Sequence, residues 1–192
     1  MTKKRCLTAL VAGFLFAVTP AAARAEGFVT PFIGFNFGGD SAANCATFRN
    51  CEERRLNWGI AFGSMGGIFG IEEEIGYAKD FFGKTAGGDN AVLTAMTNLL
   101  LVVVPAGPIQ PYGLIGIGLV RPHMKFDASS LSLGKNALGH DIGGGINIFL
   151  TRGVGVRGDV RHLQTFEDIT LGVFSGEKLA FWRASAGLTF RF

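Results

Sequence analysis

The strongest constraint on the fold is the alternation of side chains in the last segment of the chain, LAFWRASAGLTFRF, residues 179–192. Its even positions are apolar and include Trp182 and Phe190, whereas its odd positions include Arg183 and Arg191. A period of two residues is the pattern of a β-strand with two different faces. One face must therefore contact an apolar environment, and the other must hold charge.

The same alternation recurs along the chain. Clusters of turn-forming Gly, Pro, Asn and Asp divide it into eight segments that predict strands: about 27–39, 56–64, 68–81, 91–104, 110–121, 137–150, 154–166 and 179–192. The connections after the odd-numbered segments are long, and those after the second, fourth and sixth are short. This asymmetry is typical of transmembrane barrels. We therefore predict an all-β fold, an eight-stranded antiparallel up-and-down transmembrane β-barrel.

Charged side chains fall on the polar faces of these segments, often beside glycines. An eight-stranded barrel has an interior just wide enough for side chains, and buried charges need partners. We expect an interior polar network of eight residues: Glu72, Glu74, Asp141, Arg157, Asp159, Arg161, Arg183 and Arg191. The network has two interpretations, a structural one and a gated pore. Glu73 falls on the lipid-facing side, and we expect a β-bulge to shift the register there.

The first 25 residues predict a secretory signal peptide, which leaves a barrel domain over residues 26–192. Lys3, Lys4 and Arg5 precede an apolar run at 7–18, and an A-x-A cleavage site ends at Ala25. A retained amphipathic anchor is the alternative. Removing the segment takes away four cations and no acid, so the formal charge of +3 falls to about −1. No basic surface for nucleic acid is left.

Cys45 and Cys51 are the two cysteines of the predicted mature chain. An even pair in an exported protein predicts a disulfide. Neither a His nor a further Cys lies close enough in sequence to complete a zinc site. We therefore expect no metal and no cofactor.

The predicted signal peptide, the eight amphipathic segments and the terminal LTFRF together resemble the small outer-membrane β-barrel proteins of Gram-negative bacteria, the OmpA-like, OmpX-like and opacity-protein-like domains. The resemblance implies location in the cell outer membrane, with its lipid and lipopolysaccharide as partners, and we expect a monomer. It also implies recognition by the barrel-assembly machinery, through an assembly signal formed by Leu188, Phe190 and Phe192.

Three functional classes follow from the sequence. The first is an outer-membrane barrel with a structural, adhesive or surface-contact role, which binds any surface ligand through four long extracellular loops. The second is a narrow channel for small solutes, and the third is a soluble exported ligand carrier like a lipocalin, with its apolar face inward. In enzymatic outer-membrane barrels of the deacylase type, which this chain resembles in size, a His and a Ser lie two residues apart. Here the residue two positions after His162 is Gln164, so the nucleophile is missing. We therefore expect no enzyme.

Overall fold

The computed structural model describes residues 25–42, 45, 53, 55–84, 88–126, 131–134, 136–171 and 174–192. The signal peptide, as far as residue 24, lies outside the described residues. Cys51, the expected disulfide partner of Cys45, also lies outside them. Both the signal peptide and the disulfide stay predictions.

The described part of the chain is built from β-strands that follow one another in an antiparallel meander. Their bounds are β1 Glu26–Phe37, β2 Leu56–Gly66, β3 Phe69–Lys79, β4 Gly88–Val102, β5 Ile109–Phe126, β6 Leu131–Gly134, β7 Ala137–Phe149, β8 Val154–Leu171 and β9 Phe174–Arg191. Across the described ranges, no helix has the length and apolar character needed to cross a membrane.

Eight of these strands close into a barrel. The order is β4-β3-β2-β1-β9-β8-β7-β5, and β4 pairs with β5 to complete the ring. The short β6 pairs only with the last residues of β5. Following the paired residues around the wall from Gly27 leads back to β1 at Phe37, a stagger of ten residues. Such a stagger tilts the strands roughly 35–45° from the barrel axis.

The short and long connections lie at opposite ends of the barrel, as expected. We call the end with the long connections the outer end and the opposite one the inner end. β5, β8 and β9 reach further toward the outer end than the sequence predicted, and β6 was not predicted. The segment EDITLGVFSGEK, residues 167–178, was predicted as a long loop, but most of it continues the β8–β9 hairpin. The glycines and charged residues of this segment are turn signals, so the sequence indicated a loop.

The outward face of the barrel is apolar. Trp182 and Phe190 point outward with 44% and 42% of their surfaces exposed, whereas Arg157 and Arg183 are buried inside. Exposed Ile, Leu, Val and Phe side chains cover the rest of the wall. The lipocalin-like alternative, which needs the apolar face inside, is therefore wrong.

Aromatic side chains lie on the outward face toward both ends of the barrel. Toward the outer end, Trp58 packs against Tyr77 with ring centroids 5.7 Å apart, and Trp182 packs against His162 in a tilted arrangement with centroids 4.9 Å apart. Toward the inner end, Phe69 and Phe190 are exposed. We call these the outer and inner aromatic belts. Two such belts flanking an apolar band are the surface pattern of a membrane-spanning barrel.

The barrel interior is filled in three layers. The outer apolar cluster contains Phe81, Phe82 and Phe181, and the rings of Phe81 and Phe181 lie 4.7 Å apart. The inner apolar cluster contains Phe28, Leu100, Val102, Tyr112 and Leu114. Buried charged side chains lie between these two clusters.

The expected bulge at Glu73 is wrong. The register of β3 runs unbroken, with Glu73 directly opposite Phe62 on β2 and Thr97 on β4. Glu72 and Glu74 therefore point inward, and Glu73 must point outward. The wall accommodates it without a change of register because Thr97 Oγ1 donates a hydrogen bond to Glu73 Oε2 at 2.8 Å.

Candidate functional site

Arg161 on β8 is the centre of the interior polar network. Its guanidinium lies 2.7 Å from Glu74 Oε2, 3.2 Å from Glu72 Oε1 and 3.0 Å from Asp159 Oδ1. Its Nη1 also lies 3.5 Å from Asp141 Oδ2. The guanidinium carries five donors in a fixed plane, so one side chain can serve carboxylates from β3, β7 and β8.

Arg157 forms the part of the network nearest the inner end. It donates to Glu72 through Nη1, and its Nε donates to Asp159 Oδ2 at 3.1 Å and to Tyr112 Oη at 2.6 Å. Tyr112 in turn donates its hydroxyl proton to Asp159 Oδ2 at 2.9 Å. The Arg157 guanidinium also lies 4.6 Å from the centre of the Tyr112 ring, at cation–π distance. These contacts join β3, β5 and β8.

Arg183 on β9 is the third arginine of the network. Its Nη1 donates to Glu74 Oε1 at 2.6 Å, and its Nη2 donates to Thr94 Oγ1 at 3.0 Å. Glu74 is thus held by Arg161 on one oxygen and Arg183 on the other. This arrangement connects β3 to β8 and β9 across the lumen.

Asp141 is the least satisfied member of the network. Neither of its carboxyl oxygens accepts a hydrogen bond from a described residue, and the same holds for the neighbouring Asn98 Oδ1. Both residues are buried, and both approach one point above Gly116 on β5, where an added Cβ would meet Asn98 Oδ1 at 1.9 Å and Asp141 Oδ1 at 2.3 Å. In the network as a whole, four carboxylates share three arginines, and Asp141 is the carboxylate in excess.

Glycines provide the space that the arginines occupy, as the sequence predicted for a narrow interior. A Cβ at Gly76 would lie 2.9 Å from Arg183 Nη1, and one at Gly143 would lie 3.0 Å from Arg161 Cγ. The crevice that follows the network along Thr30 and Ser185 leaves no room for a water-sized sphere. The interior beside the network is thus packed with side chains.

Seven of the eight residues expected in the network meet inside the barrel. Arg191 does not join them, because the last residue of β9 lies at the inner rim. There it pairs with Glu26 at 2.9 Å, donates to Gln110 Oε1 at 3.1 Å, and places its guanidinium 3.6 Å from the centre of the Phe149 ring. A strand end on the polar face reaches water, so parity alone could not separate Arg191 from the buried arginines.

Several neutral members of the network were missed by sequence reasoning. Thr94, Asn98, Tyr112 and Ser185 all hydrogen bond to its charged residues. Their inward parity was the available signal. On β5 it was hidden because Tyr112 shares its face with Leu114 and two glycines, a mixture that neither face of the segment distinguishes.

The residues of the expected assembly signal all lie on the outward face near the inner end. Leu188, Phe190 and Phe192 are exposed by 51%, 42% and 80%. Phe192 also exchanges two backbone hydrogen bonds of 2.9 Å with Gly27, at the seam between the first and last strands. Their recognition by an assembly machinery stays a prediction.

Sequence and structural comparisons give the same architecture. The family model described as outer membrane protein beta-barrel domain matches residues 8–192, almost the whole chain. The chain belongs to this family. The search of curated proteins found no significant match.

Solved structures of outer-membrane proteins share the fold of this chain at low sequence identity. Neisserial surface protein A is 12% identical with a TM-score of 0.64, over 87% of this chain and 97% of that one. OprG from Pseudomonas aeruginosa is 15% identical with a TM-score of 0.56, over 88% and 96%. Ail, the attachment invasion locus protein of Yersinia pestis, is 11% identical with a TM-score of 0.52, over 86% and 98%. None of the three is described as an enzyme.

The chemistry of the network is that of a cross-link. Its arginines and carboxylates are mostly engaged with one another, so they hold opposite walls of the barrel together rather than present a reactive group. Burial of charge is tolerated here because each arginine contacts at least one carboxylate. The expectation that the chain is no enzyme stays a prediction.

Proposed function

We propose that this protein is a non-conducting outer-membrane barrel that acts at the cell surface, through contacts made by its outer end. The observation that carries the proposal is the three-layered interior. An ion or solute crossing the barrel would have to pass the apolar clusters around Phe181 and Phe28, and between them a paired network around Arg161. A conducting pore needs a continuous polar or wet path, and this arrangement offers little support for one.

The outer end supports a contact role because it has ordered strands above the belt. β8 and β9 are each 18 residues long and continue beyond His162 and Trp182 of the outer aromatic belt. In the upper part of this hairpin, Asp168 on β8 lies opposite Lys178 on β9 in the strand register. β5 and β6 form a second antiparallel ladder at the same end. Binding residues are commonly placed on loops held by such a rigid scaffold.

Lipopolysaccharide is the membrane partner that we propose for the rim. Lys79 and Arg121 are exposed and face outward, at or just beyond the level of Tyr77 in the outer belt. Cations at this height lie where lipid phosphates gather, so they favour an anionic headgroup layer. The proposed outer location of this end follows the usual placement of long connections in barrels of this kind.

Two measurements on the full chain test the proposal. The first is single-channel recording in planar bilayers, in which we expect no conductance steps; steps that persist in the purified protein would support the channel instead. The second is adherence of bacteria to epithelial monolayers and heparin-coated beads, chosen because Ail is described in complex with a heparin analogue.

The matched control for adherence shortens only the hairpin above the belt. Residues 167–178 are replaced with a two-residue turn, which leaves the apolar wall and the interior network intact. We expect adherence to fall to the level of cells without the protein. Equal adherence of the full chain and the shortened chain would refute the contact role, provided that both are folded by heat-modifiable gel mobility.

A further inference from the structure

Glu73 is a carboxylate on the outward face at half the height of the wall. On β3 it lies midway between the two belts, four residues from Phe69 of the inner belt and four from Tyr77 of the outer belt. At about 3.3 Å per residue and the tilt given above, it lies roughly 10 Å from each belt. Glu73 therefore lies close to the middle of the hydrocarbon, where lipid tails offer no hydrogen-bond partner.

Glu73 has one hydrogen-bond partner in the wall, and its second carboxyl oxygen can take another. Thr97 Oγ1 donates to Oε2, and Oε1 takes no hydrogen bond within the described residues. The unbroken register on both sides of β3 prevents the side chain from turning inward. Its neighbours on the outward face, Ile71, Ile75 and Leu99, are exposed and apolar. A polar pair thus interrupts an otherwise oily surface.

We propose that the Glu73–Thr97 pair is the contact site for a second copy of this chain within the membrane. An ionisable group facing lipid is costly, and its usual explanation is a partner that supplies polar atoms at the same depth. Lipid tails supply none, whereas another barrel wall does. A second copy related by a two-fold axis along the membrane normal brings its own Glu73 and Thr97 to that depth by symmetry.

The pair is complementary to itself, which favours a second copy over a different partner. Thr97 Oγ1 donates its only proton to Glu73 of its own chain, so toward a second copy it can only accept, and the donor is the carboxyl of the facing Glu73 in its protonated form. Two facing pairs therefore match acceptor to donor in both directions, as an isologous contact requires. The surrounding wall, which includes Phe62, Ile71 and Ile75, supplies flat apolar surface for packing. The proposal replaces our sequence-based expectation of a monomer.

The test measures association of the full chain in lipid vesicles. Donor-labelled and acceptor-labelled protein is reconstituted at decreasing protein-to-lipid ratios, and energy transfer gives the dissociation constant. Hydrogen bonds between membrane-embedded segments are individually modest, so we expect Glu73→Leu and Thr97→Val each to weaken association about 10-fold. Glu73→Gln replaces the carboxyl with an amide, which both donates and accepts. We expect its dissociation constant to stay within about threefold of the wild-type value.

Val160→Leu is the matched control. Val160 is exposed on β8, midway between Val154 at the inner end and Phe166, and four strands around the ring from β3. It should leave association unchanged, and heat-modifiable mobility confirms that every variant is folded. A wild type that gives no transfer above random mixing overturns the proposal. Equal dissociation constants for the wild type, Glu73→Leu and Thr97→Val would also overturn it, as would a loss with Val160→Leu as large as theirs.

Discussion

Replacing Arg161 with Met removes the side chain on which the interior network is centred. Arg161 contacts all four carboxylates of the network, at 2.7 to 3.5 Å, and is 1% exposed. The variant leaves those four carboxylates with two arginines. Removing one partner of a buried ion pair typically costs about 3–5 kcal/mol, because the remaining charge stays uncompensated in a medium of low dielectric. We therefore expect the free energy of unfolding to fall by at least about 3 kcal/mol.

Asp141→Asn is the informative companion variant. Among the described residues Asp141 accepts no hydrogen bond and forms one ion pair, with Arg161, which is the longest in the network at 3.5 Å. The substitution leaves three carboxylates facing three arginines. It should therefore change the free energy of unfolding by no more than about 1 kcal/mol, and the amide can donate toward Asn98 Oδ1. Arg55→Ala, which breaks a half-exposed pair with Glu53, is the surface control, with an expected loss of about 0–1 kcal/mol.

The assay is urea unfolding in lipid vesicles, followed by the fluorescence of Trp58 and Trp182 and by heat-modifiable gel mobility. Linear extrapolation gives the free energy of unfolding for each variant. A loss below about 1 kcal/mol for Arg161→Met would refute the argument that the network is a set of interdependent buried charges. A loss for Asp141→Asn as large as that for Arg161→Met would refute the charge count on which the comparison depends.

Three further changes test other parts of the wall. Gly116→Ala places a Cβ 1.9 Å from Asn98 Oδ1 and should lower the free energy of unfolding in urea by about 1–3 kcal/mol. Its control is Gly113→Ala, whose Cβ has its nearest atom at 3.9 Å and should change that free energy by no more than about 0.5 kcal/mol. Equal losses for the two variants would contradict this. Deleting Phe192 removes two seam hydrogen bonds as well as the terminal ring, and Phe192→Ala removes the ring alone. Both should lower the heat-modifiable fraction in the outer membrane, and normal assembly of both would contradict an aromatic signal. Phe181→Ala opens a gap beside Phe81 in the outer apolar cluster and should cost about 3–5 kcal/mol by urea unfolding; a loss below about 1 kcal/mol would mean that this cluster is not tightly packed.

Strand parity predicted much of the barrel because it is a local property. The pleat sends alternate side chains to opposite faces, so Trp182 had to oppose Arg183 whatever the rest of the chain did. The same rule placed Arg157, Asp159 and Arg161 on one face before any partner was known. It failed at Arg191, because that residue lies at the rim where β9 ends, and it missed the upper β8–β9 hairpin, where glycines and charged residues indicated a loop.

The bulge expected at Glu73 shows the limit of the same reasoning. The sequence placed one carboxylate on the apolar face and offered a change of register as the remedy. The structure keeps the register and gives Glu73 a hydrogen bond from Thr97, a residue of the next strand. Nothing in the segment around Glu73 identifies that partner, because cross-strand neighbours depend on how the two strands align.

The sequence by itself determined the strand type, the number of strands in the ring and which residues share a face, whereas the structure decided that the apolar face points outward. Only the tertiary structure decided which charges meet: Glu72 with Arg157, Glu74 with both Arg161 and Arg183, and Asp141 with little besides Arg161. Facing is fixed within each strand by the pleat. Pairing across the lumen depends instead on the registers of all eight strands together, since their sum sets the stagger that brings distant residues to one height.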